Sequence, residues 1–282
     1  MRRKTDSIQL FFIYLCASIS VILLIAIITY VFIKGFRAIN PQFLTQVKSS
    51  VKGTEGIAGN ILNTIYVIVI TLLIATPIGI GSAIYLNEYA KPGKFVRVVE
   101  FTTQTLSGIP SILFGMFGMI FFGSVLKFGY SILTGSLTLT LMILPLIIGN
   151  TREALKTVPD SYRHGAVGMG ATKWYMIRTI LLPSSMPGIV TGIILSVGRI
   201  VGESAALLFT AGSGYLLPRS AKGYLTKIMD SGGTLTIELY LSMAKAKYDV
   251  AFGIALVLLV IVFLINLSTK YLIRKWNHYE RN

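Results

Sequence analysis

The chain alternates between long apolar runs and short polar segments, and the length of the runs is the first structural signal. A helix that crosses a lipid bilayer needs about 20 consecutive, mostly apolar residues. Six runs approach or exceed that length, at positions 8–33, 61–86, 106–126, 131–149, 186–209 and 250–273. The pattern therefore predicts an all-α integral membrane protein with six transmembrane helices. The even number of crossings predicts that both termini lie on the same side of the membrane.

Glycine and proline predict where these helices weaken or end. Gly108 and Pro110 weaken the start of the third run. Gly149 and the proline before it predict the end of the fourth run, so residues 151–156 are expected to form a separate short helical turn. The fifth run, 186–209, is interpreted as one continuous helix.

The polar segments divide the chain into three parts. Residues 1–60 are predicted to form an N-terminal anchor helix and an outer loop with a short helix, because the first apolar run is too long for a cleaved signal peptide. Residues 61–273 are predicted to form the main body, which contains a long cytoplasmic segment at 150–185. Residues 274–282 are predicted to form a basic cytoplasmic tail.

Lysine and arginine are unequally distributed between the two sides of the predicted helices. Of the 26 cations, fifteen lie on the side that holds both termini, ten lie on the other side, and Arg199 lies inside a run. Because cation-rich short loops stay in the cytoplasm, this distribution favours cytoplasmic termini. Contacts with anionic membrane lipid account for much of the net charge of +15. No basic-aromatic surface of the usual kind predicts nucleic-acid binding.

Composition argues against several kinds of chemistry. The chain is 54% hydrophobic and only 13% charged, with mean hydropathy +0.72, which is typical of a polytopic membrane protein. Cys16 is the one cysteine, so no intrachain disulfide is expected. His164 has no partner at metal-ligand spacing, and no Walker A loop or catalytic triad occurs, so we expect no metal, no cofactor and no ATPase site. Glu88 and Glu100 are interpreted as parts of a solvated face.

A spaced motif lies in the cytoplasmic segment. Ala166, Gly170 and the tetrapeptide Ile-Leu-Leu-Pro at 180–183 stand at fixed intervals. This motif resembles the cytoplasmic signature of ABC-importer permeases, which reads Glu-Ala-Ala, three residues, Gly, nine residues, Ile-x-Leu-Pro. His164-Gly165 replaces the opening Glu-Ala of that signature.

Three further stretches narrow the resemblance to permeases of the phosphate importer, of the PstA type. They read IGIGSAIYLNEYA, LSGIPSILFG and GRIVGESAALLFTAG. The resemblance implies a type I ABC-importer (MetI-like) permease core in a prokaryotic plasma (inner) membrane. It also implies phosphate as the solute and several protein partners. These are a homologous permease subunit, two ATP-binding cassette ATPase subunits and an extracytoplasmic phosphate-binding protein.

The start of the motif is implied to couple the chain to its ATPases. Asp160 and Ser161 are good N-cap residues for a short helix that Gly168 and Gly170 should end. The resemblance implies that this region docks on the ATPase through ten residues: Ser161, Tyr162, Arg163, His164, Gly165, Ala166, Val167, Gly168, Met169 and Gly170.

Arg199 and Glu203 are charges inside an apolar run, where an unpaired charge costs several kcal/mol unless it faces water. Spaced i,i+4 on one helix, they are able to form a purely structural pair. The resemblance implies instead that both line the substrate path. Arg199 would donate to phosphate oxygens, and Glu203 would hold Arg199 or accept the phosphate proton. Arg152 is a further candidate for the path, since it lies one turn after Gly149, where phosphate permeases often carry an arginine.

Two alternative functions stay open on the sequence alone. The Arg-x-x-Gly-Glu element also occurs in permeases for sulfate and molybdate, so by itself it indicates only an oxyanion. A membrane enzyme or a non-transporting membrane sensor would belong to a different class. The absence of a catalytic constellation argues against the enzyme.

Overall fold

The computed structural model describes residues 2–49, 53–91, 93–218 and 220–279, and helices form nearly all of their regular structure. The long helices in these residues are α1 (Arg2–Phe36), α3 (Ala58–Ile84), α6 (Ile132–Lys156), α9 (Leu182–Gly202) and α13 (Tyr248–Tyr279). The shorter helices are α2 (Pro41–Thr45), α4 (Lys94–Ser107), α5 (Ser111–Gly118), α7 (Asp160–Gly168), α8 (Lys173–Met176), α10 (Ala205–Thr210), α11 (Ala221–Thr226) and α12 (Leu235–Ala244). π-Helical stretches extend α3, α5 and α8, at Tyr85–Tyr89, Met119–Val125 and Ile177–Leu181. The strands β1 (Val47–Ser49) and β2 (Thr54–Ile57) pair in antiparallel orientation.

Length and apolar composition identify the membrane-spanning helices. Five described segments qualify: Gln9–Phe36, Ala58–Tyr89, Ile132–Lys156, Lys173–Gly202 and Tyr248–Tyr271. The bent pair of α4 and α5 supplies a sixth span if it is counted as one crossing. The predicted all-α membrane fold is therefore confirmed, with five or six spans. The helix α13 continues through most of the predicted tail, and residues 280–282 lie outside the described part of the chain.

The third predicted span is broken. Pro110 has no N–H to donate and restricts the residue before it, so α4 ends at Ser107 and α5 begins at Ser111. The two helical segments meet at 102°. The prediction of one helix from 106 to 126 was therefore wrong. Its first residues belong to a separate helix that lies across the spanning part.

The fourth span is longer than predicted. Helix α6 passes through Gly149 and ends at Lys156, so residues 151–156 are its last turns and not a separate element. These turns bury Thr151 and Leu155, and Leu155 packs in a cluster with Met176 of α8. Burial of this face outweighs the weak helix propensity of glycine, which costs about 1 kcal/mol relative to alanine.

Small residues let α9 approach α6 closely. A Cβ atom added at Gly188 would lie 2.5 Å from the Cβ of Ala154, and one added at Gly192 would lie 2.6 Å from the Cβ of Asn150. Helices in a membrane associate through close packing because lipid supplies no hydrophobic force between them. This contact fixes Asn150 beside α9, near the cavity described below.

The end of the bundle that carries the β hairpin is held by polar contacts. The amide Nδ2 of Asn63 donates to the carbonyls of Gly214 and Gly233, at 2.8 and 3.1 Å. Lys48 of β1 forms an ion pair with Glu238 of α12 at 2.5 Å. The short helix expected in the first outer loop is present as α2, whereas the hairpin was not predicted. Its strands of three and four residues are too short to show an alternating pattern.

Candidate functional site

A cavity of about 430 Å³ lies between α4, α6 and α9. Its apolar wall includes Phe114 and Met142. Its polar lining consists of Thr103, Gln104, Ser107, Asn150, Glu153 and Arg199. Because one positive side chain faces a group of neutral hydrogen-bonding side chains and one carboxylate, the cavity has the chemistry to hold a small hydrophilic anion.

Arg199 is the cation in the lining of this cavity, and its side chain is exposed there. It stands in the last turn of α9. Within the described residues, its guanidinium takes part in no hydrogen bond or ion pair. A guanidinium carries five N–H donors in a planar fork, and all five are therefore free for a solute.

Glu203 does not share this cavity. Helix α9 ends at Gly202, and Glu203 has an extended backbone with ψ of 122°. Its carboxylate accepts a hydrogen bond of 3.0 Å from the backbone N–H of Ala206 at the start of α10. Its carbonyl oxygen accepts another, also 3.0 Å long, from the hydroxyl of Thr236. The expected i,i+4 arrangement with Arg199 on one helix running to 209 was therefore wrong, because the chain leaves the helix between the two residues.

Arg152 lines a second cavity of about 360 Å³, which shares Thr103, Gln104, Gly149 and Glu153 with the first. Its guanidinium is engaged, since it forms an ion pair of 2.5 Å with Glu100 of α4. Its buried Nε has no hydrogen-bond partner in the described part of the chain. Glu100 was expected to be solvated; its side chain is 36% exposed and also links α4 to α6 through this ion pair.

The predicted coupling residues form one exposed surface with two exceptions. Helix α7 spans Asp160–Gly168, close to the expected bounds, but Pro159 occupies the N-cap position that was predicted for Asp160 or Ser161. Gly170 follows the helix with φ of +79°, a conformation that favours glycine. Eight of the ten residues are exposed: Ser161, Tyr162, His164, Gly165, Val167, Gly168, Met169 and Gly170. Ala166 is buried beneath the helix. The side chain of Arg163 points into the subunit.

Arg163 fastens α7 to the rest of the chain. Its guanidinium donates to the carboxylate of Glu88 at 3.1 Å and to the carbonyls of Leu155 and Val158 at 2.9 and 2.8 Å. The Glu88 side chain is only 5% exposed, so its interpretation as part of a solvated face was wrong. No spacing in the sequence relates residues 88 and 163. The one available signal was a carboxylate at the end of an apolar run, which needs a partner when buried.

Lys227 is a buried cation that no sequence pattern singled out. It lies after α11, outside the spanning segments, and is 5% exposed. Burial lowers the pKa of Lys227, and the nearby carboxylate of Asp230 partly opposes this effect. Among the described residues, no group of three or more His, Cys, Asp or Glu side chains could hold a metal ion.

Comparison with known proteins identifies the family. The model for "Binding-protein-dependent transport system inner membrane component" matches residues 75–278. The chain is 36% identical over 211 residues to the probable ABC transporter permease protein YqgI of Bacillus subtilis (strain 168), which covers 75% of this chain and 72% of that protein. It is 30% identical over 277 residues to the phosphate transport system permease protein PstA of Mycobacterium leprae (strain TN), covering 94% and 88%.

Comparison with solved structures concerns the fold. An inward-facing structure of the MetNI methionine ABC transporter matches with a TM-score of 0.59 at 20% identity. The match covers 78% of this chain and 94% of that one. At this identity the likeness shows the fold alone, and it confirms the expected MetI-like permease core. With its family model covering most of its length, the chain belongs to the family of binding-protein-dependent transport system inner membrane components.

Proposed function

We propose that this chain is a permease subunit of an ATP-driven importer for inorganic phosphate. The observation that carries the proposal is the guanidinium of Arg199, which has no hydrogen-bond or ion-pair partner among the described residues and lines a cavity with both polar and apolar walls. The similarity to a relative named as a phosphate transport permease supports the choice of solute. The chain would lie in the prokaryotic plasma membrane with both termini in the cytoplasm.

The cavity supplies two complementary groups for a partly protonated phosphate. The planar fork of Arg199 matches two phosphate oxygens, which an ammonium group would contact as a point charge. Glu153 lines the same cavity; one of its carboxylate oxygens pairs with Lys156 at 2.9 Å, and the other is able to accept a hydrogen bond from a P–OH group. Arg152 stands in the neighbouring cavity as a second cation for the same solute, which it would reach once its pair with Glu100 opens. Glu203 is assigned to holding the turn between α9 and α10.

Glu153 also favours phosphate over the alternative oxyanions. Sulfate and molybdate carry no proton at neutral pH, so their oxygens would meet the carboxylate as like charges. The membrane-sensor alternative has no observation in its favour.

The energy would come from partner subunits. The chain would pair with a homologous permease, and the exposed surface of α7 would dock on one of two ATP-binding cassette ATPases. An extracytoplasmic phosphate-binding protein would deliver the solute. The three contacts of Arg163 with residues outside α7 support this division, because they fix α7 to the ends of α3 and α6, and α6 lines the cavity.

The test is uptake of labelled phosphate by the complete complex in liposomes, with the binding protein and ATP present. We expect uptake to be lost when the ATPase cannot hydrolyse ATP. An excess of arsenate, which is protonated like phosphate, should compete, whereas sulfate and molybdate should not. Uptake of labelled sulfate at the rate of phosphate, or no uptake of either, would contradict the proposal.

A further inference from the structure

Helix α4 has one face on the core and one face without a protein partner. Glu100 and Thr103 are partly buried on the core side. On the opposite side, Phe95, Val98 and Phe101 are 63%, 61% and 70% exposed. At 100° per residue these three side chains lie within about 120° of one another, so they form a single apolar stripe.

The charges of α4 are arranged around this stripe. Lys94 and Arg97, both exposed, stand in the first turns of the helix beside the stripe, and Lys91 precedes them. Glu100, the single carboxylate of the helix, points to the other side, where it pairs with Arg152. The exposed face is therefore apolar from Phe95 to Phe101, continues with Thr102 and Thr105, and is positive at its beginning.

The direction of α4 fits a membrane surface. Its axis makes an angle of 102° with the spanning segment that follows, so it lies across the bundle. It comes directly after the second spanning helix, at the end that also carries Arg163 and α7. A basic amphipathic helix in this orientation is the form that binds at a bilayer interface, with its apolar side chains among the acyl chains and its cations at anionic headgroups.

We propose that the exposed face of α4 binds the anionic lipid surface of the leaflet on the side of α7. The positive charge beside the apolar stripe selects this occupant over a neutral protein surface. The contact also bears on the cavity, because Thr103, Gln104 and Ser107 of the same helix line it. Lipid bound to one face of α4 thus positions the cavity wall on the other.

The test measures lipid contact in the complete complex in nanodiscs. Cys16, the one native cysteine, is replaced by Ser, and a fluorescent label is attached at Phe101→Cys. Val98→Cys provides a second labelling site on the same stripe. The matched control is Gln104→Cys, which lies on the same helix but lines the cavity. Quenching is measured with nitroxide-bearing lipids that carry either phosphatidylglycerol or phosphatidylcholine headgroups.

The labels at 101 and 98 should be quenched at least about threefold more than the label at 104. Phosphatidylglycerol should quench more strongly than phosphatidylcholine. Lys94→Gln with Arg97→Gln should abolish that preference, since each cation near an anionic surface contributes about fivefold to binding. Lys222→Gln with Lys245→Gln, at exposed positions outside α4, should preserve it.

Protection of both stripe labels from lipid quenchers would mean that a protein subunit covers the face. Equal quenching by the two lipids would remove the role of charge, and either result overturns the proposal.

Discussion

The side chain of Arg163 offers a direct way to test how α7 is held in place. In Arg163→Met, the buried carboxylate of Glu88 would keep only the amide of Asn87, which donates to it at 2.7 Å. The buried carbonyls of Leu155 and Val158 would each lose a charged donor. Removing one partner of a buried ion pair costs about 3–5 kcal/mol. Because Glu88 keeps its contact with Asn87 and the pair is partly exposed, we expect Arg163→Met to destabilise the attachment of α7 by about 3 kcal/mol.

A cost of this size predicts that the detached state of α7 becomes about 100-fold more populated, since each 1.4 kcal/mol is a factor of ten. Amide hydrogen exchange of residues 160–168 in the purified complex measures this population. Exchange should accelerate about 100-fold in Arg163→Met and stay unchanged in the matched control Arg178→Met, an exposed cation in the same segment. Adding Glu88→Met to Arg163→Met should recover part of the loss, because no unpaired charge then stays buried. Equal exchange in Arg163→Met and Arg178→Met would refute the reasoning.

Three further changes test other parts of the structure. Gly118→Ala should cost about 1–3 kcal/mol because its Cβ would overlap the side chain of Thr138. The unfolding temperature should fall in Gly118→Ala, recover partly when Thr138→Ala is added, and not fall in the control Gly81→Ala, whose added Cβ meets open space. Gly165→Leu should leave the amount of protein in the membrane normal, since no other atom lies within 4 Å of a Cβ built at Gly165. The variant should nevertheless hydrolyse ATP without matching phosphate uptake, and normal coupling of the two would mean that the docking contact is misplaced. Burial lowers the pKa of Lys227, so above its folded-state pKa the unfolded chain binds more protons than the folded chain, and the unfolding temperature should rise with pH up to 10.5. Lys227→Met should abolish this rise, and a rise that persists in Lys227→Met would exclude Lys227 as its cause.

Elements that depend on local sequence could be predicted. Long apolar runs sufficed to find α1, α3, α6, α9 and α13, because a run of that length has few stable alternatives to a membrane helix. The short helix α7 was equally accessible, since Asp160 and Gly168 mark its ends locally.

Features that depend on packing could not be predicted. The partners Arg163 and Glu88 are 75 residues apart, and the hydrophobic pattern carries no information about that distance. The end of α9 at Gly202 was missed because the apolar run continues into α10, so Arg199 and Glu203 looked like neighbours on one helix. Glu153 was overlooked because it follows the predicted helix end at Gly149, whereas the intact α6 carries it into the cavity.

The most direct test of the central claim is phosphate uptake by complexes that carry Arg199→Gln, Arg199→Lys, or Arg199→Gln combined with Glu203→Gln. A hydrogen bond from a charged donor contributes about 1.5–3 kcal/mol, so Arg199→Gln should lower uptake about 10- to 100-fold at normal membrane levels. Arg199→Lys should also transport poorly, because it keeps the charge but loses the planar fork. The double variant should not recover. Native uptake by Arg199→Gln, or uptake restored in the double variant, would make Arg199 a structural residue and contradict the account.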